Sequence, residues 1–448
     1  MLATREILPL EPAMFNRHSR RQFLRRSAAG SAAIATGLTI LPAWSQSPNE
    51  KLSVAVIGVA GRGGANLGEV ARETELVNIV ALCDVDNNNL TRAAGRFPQA
   101  KTYRDFRKML GEMEKQIDAV VVSTPDHTHA PAGVMAMKMG KHCYCEKPLT
   151  HCVYEARLMA DLARENKLAT QMGTQIHAGD NYRRVVELVQ SGTIGPVKEV
   201  HVWSGASYFG GDRPAEAQSV PEYLDWDLWL GPAPFRPYHS KYLPGAWRGW
   251  ADFGNGGLGD FFCHYSDLAF WALKLKYPTS VDAEGPPPHP ESTPPWLIVR
   301  YEFPAREELP PVKLTWYDGG KRPPIQKEAN LPDWGSAVLF LGEKGMLLAD
   351  YGRHMLLPES EWTGFQAPAP TIPSSVGHHR EWIDGCRTGS PTTCNFGYSG
   401  PLSEAALLGT VSYRTGQKLD WDAENLQARN CPAAAPLIKR PYRQGWTL

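Results

Sequence analysis

KLSVAVIGVAGRGG, Lys51–Gly64, is the stretch whose reading decides the fold. Leu52–Ile57 reads as a short apolar strand. It runs straight into a glycine cluster, where the backbone can turn tightly and approach a ligand closely. A helix is expected from about Gly64 to Ala71, with its first N–H groups aimed at an anion. Strand, glycine turn and helix form the first unit of a dinucleotide-binding fold. The fingerprint of that unit is G-x-G-x-x-G. Gly58 and Gly63 fill the outer positions, Ala60 takes the middle one, and Gly61, next to Arg62, is left to serve the close approach. An ordinary Gly-rich turn carries the same letters, so the rest of the chain must decide.

At 448 residues the natural expectation is two domains. Lys+Arg and Asp+Glu are both 47, which leaves no basic field for nucleic acid. Fourteen tryptophans suggest a large core or stacking platforms for a ligand such as a sugar ring. Ser19–Arg25, SRRQFLR, resembles a twin-arginine export signal. A small-residue apolar stretch follows, Ser27–Leu41, and then Ala43 and Ser45 at signal-peptidase spacing. Residues 1–45 are therefore expected to be a signal peptide removed from a periplasmic or extracytoplasmic protein. No apolar run long enough for a membrane span follows it, so no membrane partner is expected after processing.

Eight cysteines need a reading in that light. Cys386 and Cys394 flank a turn and are candidates for a disulfide in an oxidising compartment. His142, Cys143, Cys145, His151 and Cys152 look like a metal cluster, but their spacing does not match a C-x-x-C zinc site. Core packing is the preferred reading, and no metal is expected. Alternation along a strand would put Cys143 and Cys145 on one side and His142 and Tyr144 on the other.

Beyond the loop, Leu76–Asp84 is a second buried strand ending in an acid. Asp84 lies where a carboxylate accepts from both ribose hydroxyls and repels a 2′-phosphate, so NAD is expected rather than NADP, with Asp86 a near alternative. Asp118–Thr124 is a continuous apolar strand, as in a parallel sheet covered on both faces. It ends at Pro125-Asp126-His127-Thr128-His129, on the crevice side. Thr124, Pro125, His127 and His129 are candidates to line the cofactor, although a helix-capping or structural role suits the histidines equally. A helix is expected over Ala130–Met139 and a strand over Lys141–Tyr144. That strand runs into Glu146-Lys147-Pro148, where a cis bond is plausible and where the lysine would stand at the crevice mouth beside the nicotinamide.

The glycine loop, the acid-ended second strand, S-T-P-x-x-x-H and E-K-P occur here in one order and spacing. Together they resemble the Gfo/Idh/MocA oxidoreductase family. The resemblance runs from about Lys51 to Trp421 and implies an α/β protein. Its N-terminal Rossmann dinucleotide-binding domain would span residues 50–172. A C-terminal α+β substrate domain, residues 173–448, would carry a large, mostly antiparallel open sheet whose back makes a homo-oligomer.

The alternation of Gly195–Ser204 is consistent with the opening of such a sheet. Further on, Gly254–Gly259 opens a helix, Leu258–Leu275, with Asp260 and His264 on one face. An Asp and a His projecting together from an apolar helix are costly unless paired or working. The resemblance makes them, with Lys147, the catalytic set. His264 would be the general base, Lys147 would stabilise charge on the reacting oxygen, and Asp260 would orient the substrate or the histidine. Trp247 or Trp250 would stack on a ring face or pack in the core. The implied substrate is a small-molecule carbohydrate: a sugar, polyol or glycoside. Export implies an NAD that stays bound, because little free NAD exists outside the cytoplasm. Redox-neutral cleavage of a glycoside and non-catalytic sugar binding are the alternatives, and the intact Lys, Asp and His set argues against the second.

Overall fold

Each segment expected to be a buried parallel strand pairs into one sheet in the computed structural model, which describes residues 50–448. The expected export signal lies outside the described residues. The first sheet is built from β1 (Leu52–Ile57), β2 (Val77–Cys83), β3 (Lys101–Tyr103), β4 (Ala119–Val122), β5 (His142–Cys145) and β6 (Thr170–Met172). Their order is β3-β2-β1-β4-β5-β6, and every pair is parallel. The connecting helices are α1 (Arg62–Ala71), α2 (Asn87–Arg96), α3 (Phe106–Glu112), α4 (Asp126–Lys138) and α5 (Val153–Glu165).

Both faces of this sheet are covered. Val54, Val56 and Val121 pack with Leu67 of α1 and with Trp382 and Ile383 from far along the chain. Ala55, Ile57, Val120, Cys143 and Cys145 turn to the opposite core. That two-sided burial is why these strands read as unbroken apolar runs. The cysteines of β5 are thus core residues on the face away from Tyr144.

After α6 (Asp180–Gln190) the chain enters a second sheet. It comprises β7 (Val197–Trp203), β8 (Ser280–Glu284), β9 (Ile298–Phe303), β10 (Val312–Tyr317), β11 (Ala337–Gly342), β12 (Gly345–Ala349), β13 (His354–Leu357), β14 (Leu419–Asp422) and β15 (Gln427–Ala428). The order is β13-β12-β11-β7-β10-β9-β8-β14-β15, antiparallel except where β10 meets β7. One face, with Val200, Leu314, Trp316 and Phe340, packs on the helices. The other alternates exposed Arg300, Glu302 and Lys313 with the apolar patch of Trp203, Tyr317, Leu339 and Leu348.

Between β7 and β8 lie α7 (Trp226–Leu230) and α8 (Gly256–Ala272). Further along come α9 (Ile325–Glu328), α10 (His378–Thr388), α11 (Phe396–Thr415) and α12 (Ala435–Ile438). α11 lies against both α5 and α8.

Two helices run through an internal proline. α4 begins at Asp126, four residues before the expected Ala130, and carries Pro131 inside it. Proline has no N–H to give the carbonyl of residue 127. Arg440 Nη2 donates to His127 O at 2.8 Å instead. α11 begins at Phe396 and likewise passes through a proline, Pro401.

The Cys386–Cys394 pairing is not made. Both are free thiols. Cys386 packs against the cluster around Val54, and Cys394 is buried in the opposite core.

His127 and His378 are buried, and burial pushes each imidazole down to about 3. The unfolded chain binds protons at these positions from about pH 6.5 downward, whereas the folded chain does not. The folded state is therefore favoured above pH 6.5 and loses about 1.4 kcal/mol per pH unit per histidine as pH falls from there towards 3. Denaturation midpoints should decline steadily from pH 7 to pH 4, and a flat profile over that window would contradict the buried neutral state.

Candidate active site

The glycine loop closes on itself between β1 and α1. Gly58 has φ +83°, and a Cβ there would meet Ser123 O at 2.6 Å. A Cβ at Gly63 would meet Gly58 O at 2.0 Å. α1 starts at Arg62 with no side-chain cap and no acid in its first turn, so its N–H groups are free for a pyrophosphate. Ala60 is half-buried, and Gly61 and Arg62 are exposed at the mouth. Asp84 ends β2 beside the loop: its Oδ2 accepts from Val59 N at 3.0 Å and its Oδ1 from Asp86 N at 2.9 Å. Burial raises the Asp84 carboxyl, and these two N–H groups oppose the shift. Asp86 is instead the N-cap of α2, accepting from Asn88 N and Asn89 N. The cradle, the bare helix end and the adjacent acid fit a dinucleotide.

β4 ends at the next part of the crevice. Thr124 Oγ1 is buried without a partner there, and Pro125 leads into α4. The two histidines that follow do not offer nitrogens to a cofactor. His127 lies between the rings of Trp229 and Phe253 and faces Trp229 O at 2.9 Å and Phe253 O at 3.3 Å. His129 faces Pro148 O at 2.9 Å and Thr124 O at 2.8 Å. Backbone carbonyls thus occupy both rings, and the expectation that they line the cofactor gives way to their alternative, a structural role. The Glu146 carboxylate is also internal. It accepts from Asn66 Nδ2 and Gln175 Nε2, each at 2.9 Å, and so ties α1 to the end of β5.

Lys147 follows, joined to Pro148 by a cis peptide bond. Its Nζ donates to Asp260 O at 2.8 Å and to Asp260 Oδ1. The sequence reading missed two further groups on this carboxylate. Tyr208 OH donates to Oδ2 at 2.6 Å, and Arg248 Nε lies 3.1 Å from Oδ1. Tyr208 sits in a stretch without periodicity, and Arg248 stands between two tryptophans, so neither had a local signal. Burial alone would raise the Asp260 carboxyl, but Lys147 and Arg248 outweigh it and hold the group well below the usual carboxylate range. Asp126, also buried, is pushed up to about 6 by burial.

His264 stands one turn beyond Asp260 on α8. Its Nδ1 is buried without a partner, and no hydrogen bond joins it to Asp260. Asp260 therefore holds Lys147, Tyr208 and Arg248 rather than the histidine. Burial, followed by the neighbouring Lys147, pushes the imidazole down to about 3. Trp250 is fully buried against Tyr242 and donates to Lys241 O at 3.2 Å, which excludes it as a sugar platform. The Arg248 guanidinium lies over Trp247, 4.3 Å from the ring centroid.

Two other features lie apart from this set. A cavity of about 210 Å³ behind α8 is lined by His151, Asn255, Asp318 and Arg414, among others, but not by Lys147, Asp260 or His264. Among the described residues, His177, Asp267 and Cys394 bring ligand-type atoms within 4.8 Å of one another. The Asp267 carboxylate in that group already accepts from Tyr398 OH at 2.7 Å and faces His177 Nδ1 at 3.0 Å.

Residues 52–174 match the model of an oxidoreductase family with an NAD-binding Rossmann fold, and residues 179–307 match the α/β C-terminal domain of the same family. The chain belongs to the Gfo/Idh/MocA oxidoreductase family. An inositol 2-dehydrogenase of Salmonella paratyphi B is 26% identical over 174 residues, 38% of this chain and 48% of that protein. A glycosyl hydrolase family 109 protein of Stenotrophomonas maltophilia is 38% identical over 138 residues, 28% of this chain and 29% of that one. The inositol dehydrogenase match thus spans about half of that relative's length. The fold agrees with WlbA dehydrogenase of Chromobacterium violaceum in complex with NADH and UDP-GlcNAcA, at a TM-score of 0.58 and 17% identity. That alignment covers 84% of this chain and 97% of WlbA. It agrees equally with GenD2 from gentamicin A biosynthesis in complex with NAD: TM-score 0.57, 21% identity, 84% and 97% coverage. The first domain is an NAD-binding Rossmann fold.

Gly63→Ala should abolish NAD binding, because its methyl would collide with Gly58 O. Gly95→Ala, where a Cβ meets nothing within 4 Å, should bind as the parent does. The NAD released by each purified variant on denaturation separates the two, and a full complement from Gly63→Ala would move the cradle elsewhere.

Proposed function

We propose that this protein oxidises a hydroxyl of a sugar, polyol or glycoside by hydride transfer to a tightly held NAD. The observation that carries the reading is Lys147 held on Asp260, with a neutral His264 one turn away whose buried Nδ1 has no partner among the described residues. When bound, NAD supplies the hydride acceptor. The Asp260 carboxylate fixes the Lys147 ammonium, which donates to the reacting oxygen and stabilises negative charge as the O–H proton leaves. His264 takes that proton. Its depressed basicity keeps the imidazole neutral at working pH, and the Asp260 carboxylate a turn away favours the imidazolium that forms. Tyr208, whose phenol is pushed up by burial, stays a donor and holds the second oxygen of Asp260. Asp84 would accept from the ribose hydroxyls and select NAD over NADP.

The twin-arginine resemblance supports export in folded form, with NAD already inside, to an extracytoplasmic site. A homo-oligomer through the second sheet belongs to the same proposal. The matches to glycosyl hydrolase family 109 proteins support a second reading, redox-neutral glycoside cleavage by the same residues.

Purified protein should release NAD on denaturation, and an empty supernatant would end the retained-cofactor reading. Incubation with a glycoside panel distinguishes the two schemes: product with NADH appearing on the protein marks net oxidation, and cleaved glycoside without net NADH marks the redox-neutral route. Lys147→Ala should abolish turnover, and retained activity would place the site elsewhere. Tyr208→Phe should lower kcat/KM about ten- to hundredfold through loss of a charge-assisted hydrogen bond. The acid limb of the kcat/KM profile should lie well below pH 6.5, since His264 keeps its lone pair to lower pH, and a limb at 6.5 or above would exclude His264 as the base.

A further inference from the structure

His129 lies in the first turn of α4 with 1% of its surface exposed. Its Nδ1 is 2.9 Å from Pro148 O and its Nε2 is 2.8 Å from Thr124 O. Both partners are carbonyl oxygens, which only accept. A neutral imidazole has one N–H and one lone pair, and it would set that lone pair against an oxygen at hydrogen-bond distance. Only the imidazolium donates to both.

From this geometry we infer that His129 is a fixed imidazolium clamping the loop after β4 to the loop after β5, and that it is thereby a positioning residue for Lys147. The inference deepens the reading of Lys147 given above and rests on it. Thr124 belongs to the first loop, and Pro148 is the residue bonded to Lys147 in the second. Holding Pro148 O fixes where the lysine leaves the backbone. The lysine then has to span only the gap to Asp260 on α8.

The charges around this corner are consistent with a buried cation. A positive group in the first turn opposes the helix dipole. Asp126, at the first position of α4, supplies the counter-charge. It is 3% exposed, and among the described residues its carboxylate accepts only a long contact from Asn255 Nδ2 at 3.4 Å. His127 on the same helix also faces two carbonyls, but its Nδ1 contact is long, 3.3 Å to Phe253 O, and burial pushes its imidazole down to about 3, so it stays neutral. Lys147, Arg248 and Asp260 face Asp126 from the β5 loop, the turn before α8 and α8 itself. The two cations among them are already engaged by Asp260. Asp126, which interacts electrostatically with His129, thus remains available as its counter-charge.

Nitrogen NMR on the full chain, with 15N-labelled histidine, tests the protonation directly. The His129 signals are assigned by their loss in His129→Gln. At pH 7.5 both ring nitrogens should be protonated, and a nitrogen carrying a lone pair would overturn the inference. His129→Gln can donate to only one of the two carbonyls at a time. It should lower kcat about a hundredfold, the scale of a 1 Å misplacement, with KM and NAD retention little changed. Equal kcat would refute the positioning role. Should Lys147→Ala retain turnover, the catalytic reading fails while the NMR result on His129 stands.

Discussion

The buried ion pair of Lys147 and Asp260 is the contact on which the arrangement turns. Its side chains are only 10% and 11% exposed, and they come from positions 113 residues apart. Removing two charges from water costs several kcal/mol per ion, and attraction repays that only with good geometry and further hydrogen bonds. Here Tyr208 adds a hydrogen bond to the carboxylate, and the Arg248 guanidinium adds a second positive charge 3.1 Å from it. Each partner reaches the pair from a rigid element: the lysine from the end of a central parallel strand, the aspartate from a 17-residue helix packed on the second sheet. The sheets, the helix and the loops therefore have to agree on one point in space. A lone charge left there by substitution of either partner would be costly in its own right.

The parts of this that were legible in the sequence are those with a short-range signature. The β1 boundaries follow from a run of apolar residues ended by glycine, and Asp260 and His264 share a face because helical spacing demands it. What was hidden depends on partners distant in the chain. Nothing near Tyr208 or Arg248 announces that they close on Asp260. Nothing near Pro131 announces that an arginine 309 positions away will satisfy the carbonyl it strands, since the spacing becomes visible only when His127 O is seen to accept from Arg440. His127 and His129 stood on the correct loop, but burial and two carbonyls each turned them inward.

The tryptophans illustrate the same division. Composition suggested either a core or stacking platforms. Trp226, Trp229, Tyr242, Trp250 and Phe253 form a separate aromatic cluster, with Trp226 and Trp229 stacked at 4.8 Å. This cluster walls off α4 and encloses His127. The aromatic side chains thus serve as a core packed against His127 of α4.

The Arg440 contact has a consequence for the order in which the molecule can be finished. Arg440 closes the hydrogen-bond gap that Pro131 opens in α4 and also meets Glu155 at the start of α5. Arg443 grips Gly231 O and the Asp227 backbone beside α7. A ribosome emits residues in sequence, so the Rossmann half emerges with α4 still lacking one of its bonds. That bond forms only after some three hundred further residues have appeared. The hydrogen bonding of α4 is therefore completed late in the life of the nascent chain, and a polypeptide cut short before Arg440 would carry Lys147, Asp260 and His264 without the strap that completes that helix.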